Sequence, residues 1–184
     1  EEGVLQVGPG TELYDRMAQE GHIDPDIYAV GDCVETTDLI TGKPCYVPLG
    51  STANKQGRVA GHNVGGGQMI FPGIVGAQSF KVFDLEVAAT GLEEREALQS
   101  GFHPVSTLIR GNAIAGSMPG NSKLGIKLIA DRATGRLLGA QAVGYDGVDK
   151  RLDVLAVALR AGMTVYDLEN LELSYAPPYG SAKD

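Results

Sequence analysis

The sequence places a carboxylate where a folded α/β protein could bind a ligand. Four apolar residues at positions 27–30 are followed by Gly31 and Asp32. This pattern predicts a buried strand, and open α/β sheets bind their ligands at the carboxyl ends of such strands. Gly31 would let a ligand approach the backbone closely, and Asp32 could accept hydrogen bonds from sugar hydroxyls. A carboxylate that only caps the loop to Val34 would give the same pattern, so both interpretations stand at this point.

A helix is predicted shortly after this strand. Pro48 is followed by Leu49 and Gly50, and small and apolar residues then recur at helical spacing over residues 50–64. The run Gly65-Gly66-Gly67 ends the pattern. The first amides of a helix have no partner within the helix, so those that follow Leu49 could hold an electron-rich carbonyl or an anion.

The residue types and motifs do not indicate cysteine redox chemistry, a metal site or a known nucleotide-binding or hydrolase motif. The only cysteines are Cys33 and Cys45, whose spacing fits neither a C-x-x-C redox pair nor a zinc hairpin, and only three histidines are present. The sequence therefore predicts no metal site. It also contains no G-x-G-x-x-G motif after a strand, no Walker loop, no G-x-S-x-G and no H-E-x-x-H. The motifs alone favour a non-catalytic domain.

Composition narrows the class of protein further. The chain has 184 residues, 43% of them hydrophobic, and a net charge of −8. The length suffices for one ordinary domain or two small ones, and the negative charge argues against nucleic acid or an anionic membrane as a partner. No stretch of about 18 apolar residues is present, and the first residues lack the features of a secretory signal. We expect a cytoplasmic protein that has no membrane partner.

The second half of the chain has the pattern of an antiparallel α+β domain, preceded by a partial α/β segment. Alternating and short apolar runs predict strands, and stripes at helical spacing predict helices, in the order ββαβββαα. The expected strands cover residues 78–83, 85–90, 105–110, 124–130 and 136–143, and the expected helices cover 92–99, 148–160 and 164–169. Thr90 is expected to be the N-cap of the first of these helices and Thr164 that of the last.

Several segments together resemble a known family. They are IYAVGDC (27–33), VPLGSTANKQGR (47–58), TGRLLGAQAVG (134–144) and GVDKRLDVLAVALRAGMTVYDLENLELSYAPPY (147–179). The chain resembles the carboxyl-terminal part of FAD-dependent pyridine nucleotide–disulfide oxidoreductases. The resemblance is greatest to the branch that contains coenzyme A-disulfide reductases and NADH oxidases, because D-K-R-x-D-V-L followed by Y-A-P-P is typical of that branch.

The resemblance implies two domains and a homodimer. Residues 1–70 would be the remnant of the FAD-binding domain, and residues 75–184 would be the dimerisation domain. NAD(P)H would be the co-substrate, and a small thiol or disulfide such as coenzyme A disulfide would be the substrate. On its own, the isolated chain is expected to be inactive.

The resemblance also implies roles for individual residues. Those that would bind FAD are Gly31, Asp32, Leu49, Gly50 and Tyr175. Tyr175 would also be catalytic, since it would reach from one subunit towards the flavin and redox cysteine of the other. Asn54 and Lys183 would contact coenzyme A. From the residues alone, Tyr175 could also be a packed loop aromatic, and Asn54 and Lys183 could be solvent-exposed polar side chains.

The sequence also departs from the pattern of this family. The amino-terminal G-x-G-x-x-G, the NAD(P)H-binding insert and the redox cysteine are absent from it, and Cys33 is expected to be a small buried residue. Ser117 and Met118 stand where coenzyme A-disulfide reductases resemble one another in having aromatic hydroxyls before a proline. The electron acceptor could therefore be oxygen, peroxide or polysulfide. A stand-alone dimerisation or interaction module without a flavin role is the alternative function.

Overall fold

A computed structural model of the chain describes Gly21 and residues 27–180. The described residues divide into two compact units, the first ending at Ile74 and the second beginning at Val75. The sequence pattern also indicates a short strand at residues 4–7 and a short helix at residues 11–19, and both lie outside the described residues. No helix among the described residues is long and apolar enough to span a membrane.

The first unit contains one long helix and a small hairpin. A 3₁₀ turn at Gly31–Cys33 precedes strands β1 (Thr36–Thr37) and β2 (Pro44–Cys45), which pair antiparallel, and helix α1 spans Gly50–Val64. The bounds of α1 confirm the predicted helix. The buried strand predicted at residues 27–30 is wrong: this segment is irregular, and Ile27 is 63% exposed. A central strand needs hydrogen-bonding neighbours, and the described residues of this unit offer it none.

The second unit is built on a five-stranded antiparallel sheet. Its elements are β3 (Gln78–Val82), β4 (Leu85–Gly91), α2 (Glu94–Gln99), β5 (Pro104–Asn112), β6 (Lys123–Asp131), β7 (Leu137–Gly144), α3 (Val148–Arg160) and α4 (Val165–Leu168). The strand order is β3-β4-β7-β6-β5. The α+β fold class, the order of elements and every predicted strand of this unit are confirmed, and strand ends differ by one or two residues.

Helix α3 packs against β4 and β7 and forms the core with them. Its predicted apolar stripe is buried at Leu152, Leu155 and Leu159. The Glu86 carboxylate on β4 accepts a hydrogen bond from the Val148 amide at 3.2 Å, so the helix receives a negative charge at its amino end from the sheet beneath it.

The connection between β4 and α2 differs from the prediction in one detail. Thr90 lies within β4 and donates to the Val75 carbonyl at 3.0 Å, so it is not an N-cap. The N-cap of α2 is Glu93, which forms a capping box with Glu96. Thr164 is the N-cap of α4, as predicted. The prediction failed at Thr90 because a strand residue and an N-cap both have extended backbone.

Backbones approach one another closely where β7 passes this connection. The Leu92 amide donates to the Leu138 carbonyl at 2.9 Å. A methyl group on Gly139 would overlap the Leu92 carbonyl oxygen and would lie 2.9 Å from the backbone nitrogen of Leu92. Glycine is therefore required at this strand position, since no other side chain permits such close packing.

The β6–β7 hairpin loop is held by a buried carboxylate. Asp131 accepts hydrogen bonds from the Thr134 hydroxyl at 2.8 Å and from the His103 amide at 3.2 Å. These bonds, the Thr134 hydroxyl foremost, hold the pKa of Asp131 below its ordinary value. Gly135 closes the loop at φ +73°, a conformation that favours glycine.

Candidate functional site

The turn that presents Asp32 is fixed to helix α1 through the backbone of Gly31. The Gly31 amide donates to the Gln56 side-chain oxygen at 2.8 Å, and Gln56 is only 1% exposed. Gly31 has φ +82°, a conformation that residues with a Cβ rarely adopt. A Cβ on Gly31 would lie 3.5 Å from that of Ala53, an ordinary contact, so backbone conformation and not space accounts for the glycine.

The Asp32 side chain is exposed at the surface of this turn. The backbone carbonyl of Asp32 accepts a hydrogen bond from the Tyr46 hydroxyl at 2.9 Å, which gives the turn a second side-chain partner. The Val34 amide donates to the Gly31 carbonyl at 3.3 Å. The turn is therefore closed by backbone groups and by Gln56 and Tyr46, which leaves the carboxylate of Asp32 facing outward.

The amino-terminal end of α1 lies near this turn, since a Cβ built on Gly31 would be 3.5 Å from the Cβ of Ala53 in the first turn of the helix. The N-cap residue Leu49 has extended backbone and makes no side-chain capping bond. Its carbonyl accepts from the Ala53 amide at 2.9 Å, so the amides of residues 50–52 precede the first helical hydrogen bond. A Cβ added to Gly50 would meet nothing within 4 Å. The helix is therefore exposed where it begins, at Gly50 and Ser51.

The two cysteines of this unit have different environments. Cys33 is exposed, which contradicts the expected small buried residue, because the 3₁₀ turn directs it outward and its thiol donates to the Val30 carbonyl at 3.3 Å. Cys45, on β2, is half-buried. Burial, followed by the negative charges of Asp38 and Glu35, raises the pKa of Cys45 to about 11. Cys45 is therefore a thiol and not a thiolate near neutral pH.

Tyr175 belongs to the second unit and is 53% exposed. It lies in an irregular segment that ends in a turn, where the Tyr179 amide donates to the Ala176 carbonyl at 2.9 Å. The Pro177 carbonyl accepts from the Ala115 amide at 3.0 Å. The tail that contains Tyr175 is thereby attached to the loop after β5, the loop in which Ser117 and Met118 lie.

The other candidate residues are less constrained. Asn54 is an exposed residue of α1, one position beyond Ala53. Lys183 lies outside the described residues. Among the described residues, no group of three or more histidine, cysteine, aspartate or glutamate side chains is arranged to hold a metal ion.

Two residues that position the Asp32 turn were missed by the sequence reasoning. Gln56 occupies the buried face of α1, where Thr52, Val59 and Asn63 are also buried. A large polar residue on an otherwise inward-facing helical stripe was the available signal, because buried amides require hydrogen-bond partners. Tyr46 offered no such signal, since its partner is a backbone carbonyl.

Comparison with known proteins places this geometry in a family. The family model of the pyridine nucleotide-disulphide oxidoreductase dimerisation domain matches residues 77–183. The NAD(P)H sulfur oxidoreductase (CoA-dependent) of Pyrococcus furiosus is 40% identical over 86% of this chain and 36% of its own length. The coenzyme A disulfide reductase of Staphylococcus haemolyticus is 35% identical over 87% of this chain and 36% of its own length.

Among solved structures, the NAD-dependent persulfide reductase from A. fulgidus superimposes with a TM-score of 0.85. It is 46% identical and is matched over 88% of this chain and 30% of its own length. The chain spans about a third of the length of the curated relatives it matches. The match to the family model extends over more than half of this chain. The chain belongs to the pyridine nucleotide-disulphide oxidoreductase family and contains its dimerisation domain.

Proposed function

We propose that the chain supplies part of the flavin pocket and the dimer interface of a FAD-dependent NAD(P)H oxidoreductase. One observation carries the proposal beyond family membership. The Gln56 side chain fixes the turn at Gly31–Cys33 to α1, a helix whose N-cap residue makes no side-chain capping bond, and the Asp32 side chain of that turn is exposed. A carboxylate for hydroxyl groups and free amides for carbonyl groups are the two kinds of partner that a flavin nucleotide needs.

The residues of the first unit fit FAD as follows. Asp32 would accept hydrogen bonds from the ribityl hydroxyls, and Gly31 would let the backbone approach them. Leu49 and Gly50 begin α1, whose first amides would donate to the pyrimidine carbonyl of the flavin and stabilise negative charge there. Bound FAD would supply the acceptor for a hydride from NAD(P)H and pass electrons onward.

The second unit would complete the site of a partner subunit in a homodimer. Tyr175 would donate a hydrogen bond or a proton from its phenol near the partner's flavin and redox cysteine, which its exposure permits. Asn54 and Lys183 would contact coenzyme A, Lys183 through phosphate. Residues 1–70 would be the remnant of the FAD-binding domain and residues 75–184 the dimerisation domain, and the boundary between compact units at Ile74 and Val75 supports this division.

We propose a small disulfide or polysulfide as the electron acceptor. The relatives named above are a CoA-dependent sulfur oxidoreductase, a coenzyme A disulfide reductase and a persulfide reductase, which share sulfur chemistry. A relative from Methanocaldococcus jannaschii is named NADH oxidase, so oxygen is the competing acceptor. Measuring the rate of NAD(P)H oxidation side by side with coenzyme A disulfide, polysulfide and oxygen would decide among these acceptors.

The flavin role is tested by substituting Asp32 in the full-length protein. Asp32→Ala should lower the affinity for flavin by roughly tenfold because charge-assisted hydrogen bonds are lost. Less flavin should therefore copurify with the variant, as measured from the visible absorption spectrum. Asp153→Ala removes an exposed carboxylate from α3 and serves as the matched control. Unchanged flavin content in Asp32→Ala would contradict the proposal.

That contrary result would favour a dimerisation or interaction module without a flavin role. The five-stranded sheet, whose strands all belong to the second unit, supports this alternative. The isolated 184-residue chain offers a second test. We expect it to be colourless, to take up no added FAD and to show no NADH turnover, because its sequence lacks a G-x-G-x-x-G loop for the pyrophosphate.

A further inference from the structure

Arg151 on helix α3 joins two backbone segments that are distant in sequence. Its guanidinium donates to the Gly147 carbonyl at 3.1 Å and to the Ala113 carbonyl at 2.6 Å. A Cβ on Gly147 would lie 2.6 Å from the guanidinium nitrogen that donates to the Gly147 carbonyl, so the Arg151 side chain lies directly against this glycine. Two of the Arg151 donors are thus used on backbone carbonyls.

The Ala113 carbonyl lies at the point where β5 ends and its loop begins. Ala113 is 2% exposed, and its amide donates to the Ser122 carbonyl at 2.9 Å, so both of its backbone groups are fixed. Within the loop, the Met118 amide donates to the Ala115 carbonyl at 2.9 Å. Arg151 therefore holds the base of the loop that contains Ser117 and Met118.

The same loop holds the tail. The Ala115 amide, two residues beyond Ala113, donates to the Pro177 carbonyl at 3.0 Å. The Ala176 carbonyl closes the following turn by accepting from the amides of Tyr179 and Gly180. Tyr175 lies two residues before Pro177, and its ring is half exposed. A short series of backbone contacts thus connects the Arg151 guanidinium to the segment that presents the tyrosine.

We infer that Arg151 is a positioning residue that sets the place of Tyr175 through Ala113, Ala115 and Pro177. The inference rests on the proposed function for the role of Tyr175, whereas the contacts are independent of that role. Arginine suits the task because its planar guanidinium presents several donors in a fixed geometry and keeps its charge at all working pH values. Lysine, a point charge with a flexible stem, would satisfy one carbonyl but not both in the same arrangement.

The first test uses the 184-residue chain and amide hydrogen exchange. Arg151→Met should increase exchange at the Ala115 amide by about tenfold or more, since the loop is no longer held at its base. Arg151→Lys should give an intermediate increase. Lys150→Met, which changes the exposed neighbouring residue, is the matched control and should leave Ala115 unchanged. Exchange at Ala115 that is unaltered in Arg151→Met would overturn the inference, whether or not the protein binds flavin.

The second test uses turnover of the sulfur acceptor by the full-length flavoprotein. Arg151→Met should lower kcat by about tenfold while flavin content and the KM for NAD(P)H are retained. The decisive result is non-additivity: in a Tyr175→Phe background, Arg151→Met should have little further effect on kcat. Independent, additive losses would show a merely structural role and overturn the inference. Loss of flavin already in the unsubstituted protein would refute the proposed function instead, and the exchange result would still decide the role of Arg151.

Discussion

Replacing Gln56 tests how the Asp32 turn is held. The Gln56 side-chain oxygen is the acceptor for the Gly31 amide at 2.8 Å, and the side chain is 1% exposed. Gln56→Met keeps an unbranched side chain of similar volume but removes the amide oxygen. A buried donor left without its partner costs about 1–3 kcal/mol, and the half-buried Gly31 amide should lose no more than this. This range corresponds to a roughly 5- to 150-fold larger population of the open turn.

Amide hydrogen exchange at Gly31 measures that population directly. We expect exchange at this amide to rise within that range in Gln56→Met, with the helical circular dichroism signal retained. Lys55→Met introduces the same residue at the adjacent exposed position of α1, so it controls for any change in helix stability. In the full-length protein, flavin affinity should fall in Gln56→Met and not in Lys55→Met. Unchanged exchange at Gly31 in Gln56→Met would refute the positioning role.

Gly139→Ala should lower the thermal unfolding midpoint of the second unit by about 5–15 °C because the added methyl group overpacks the sheet. Gly125→Ala, whose nearest neighbour would be 3.8 Å away, should shift it by no more than about 3 °C; equal shifts would contradict the close approach. The lowered pKa of Asp131 means that its carboxylate stabilises the fold above pH 3.8 and that this contribution is lost as pH falls further. Asp131→Asn should therefore destabilise the chain at pH 7 more than at pH 3 in denaturant titrations; an equal loss at both would argue against it. With a pKa of about 11, Cys45 should react with iodoacetamide at pH 8 far more slowly than the exposed Cys33. Peptide mapping would measure the two rates, and unfolding the protein should abolish the difference between them.

The sequence predicts the second unit well because its determinants are local. Alternating apolar residues in the strands and a helical stripe in α3 each encode the element directly. The hairpin at Gly135 follows from a residue that tolerates positive φ, and the start of the four-residue helix α4 follows from Thr164, a residue type that suits the N-cap position. None of these predictions requires knowledge of residues elsewhere in the chain.

Predictions that depend on residues distant in sequence were wrong at two places, residues 27–30 and Thr90. The segment at residues 27–30 has the apolar character of a central strand, but strand formation depends on neighbouring strands that the described residues do not supply. Thr90 was assigned to a helix because its side chain suits a cap. In the structure Thr90 is a strand residue instead, because the pairing of β4 with β7 continues through Gly91. Local sequence cannot distinguish an N-cap from the end of a strand when both have the same backbone conformation.

The positions of the two central candidate residues could not be predicted because backbone groups determine them. Asp32 is placed by Gln56, which binds an amide 25 residues away. Tyr175 is placed through a loop whose base is held by Arg151, which binds a carbonyl 38 residues away. Every residue has a backbone amide or carbonyl to offer, so these partnerships leave no motif of residue types or spacing. Each candidate residue is thus held in place by a polar side chain, Gln56 or Arg151, to which the proposal gives no contact with the ligand. Substitutions at Gln56 and Arg151 should therefore alter function while the ligand-facing residues stay the same, and a search confined to those residues would overlook them.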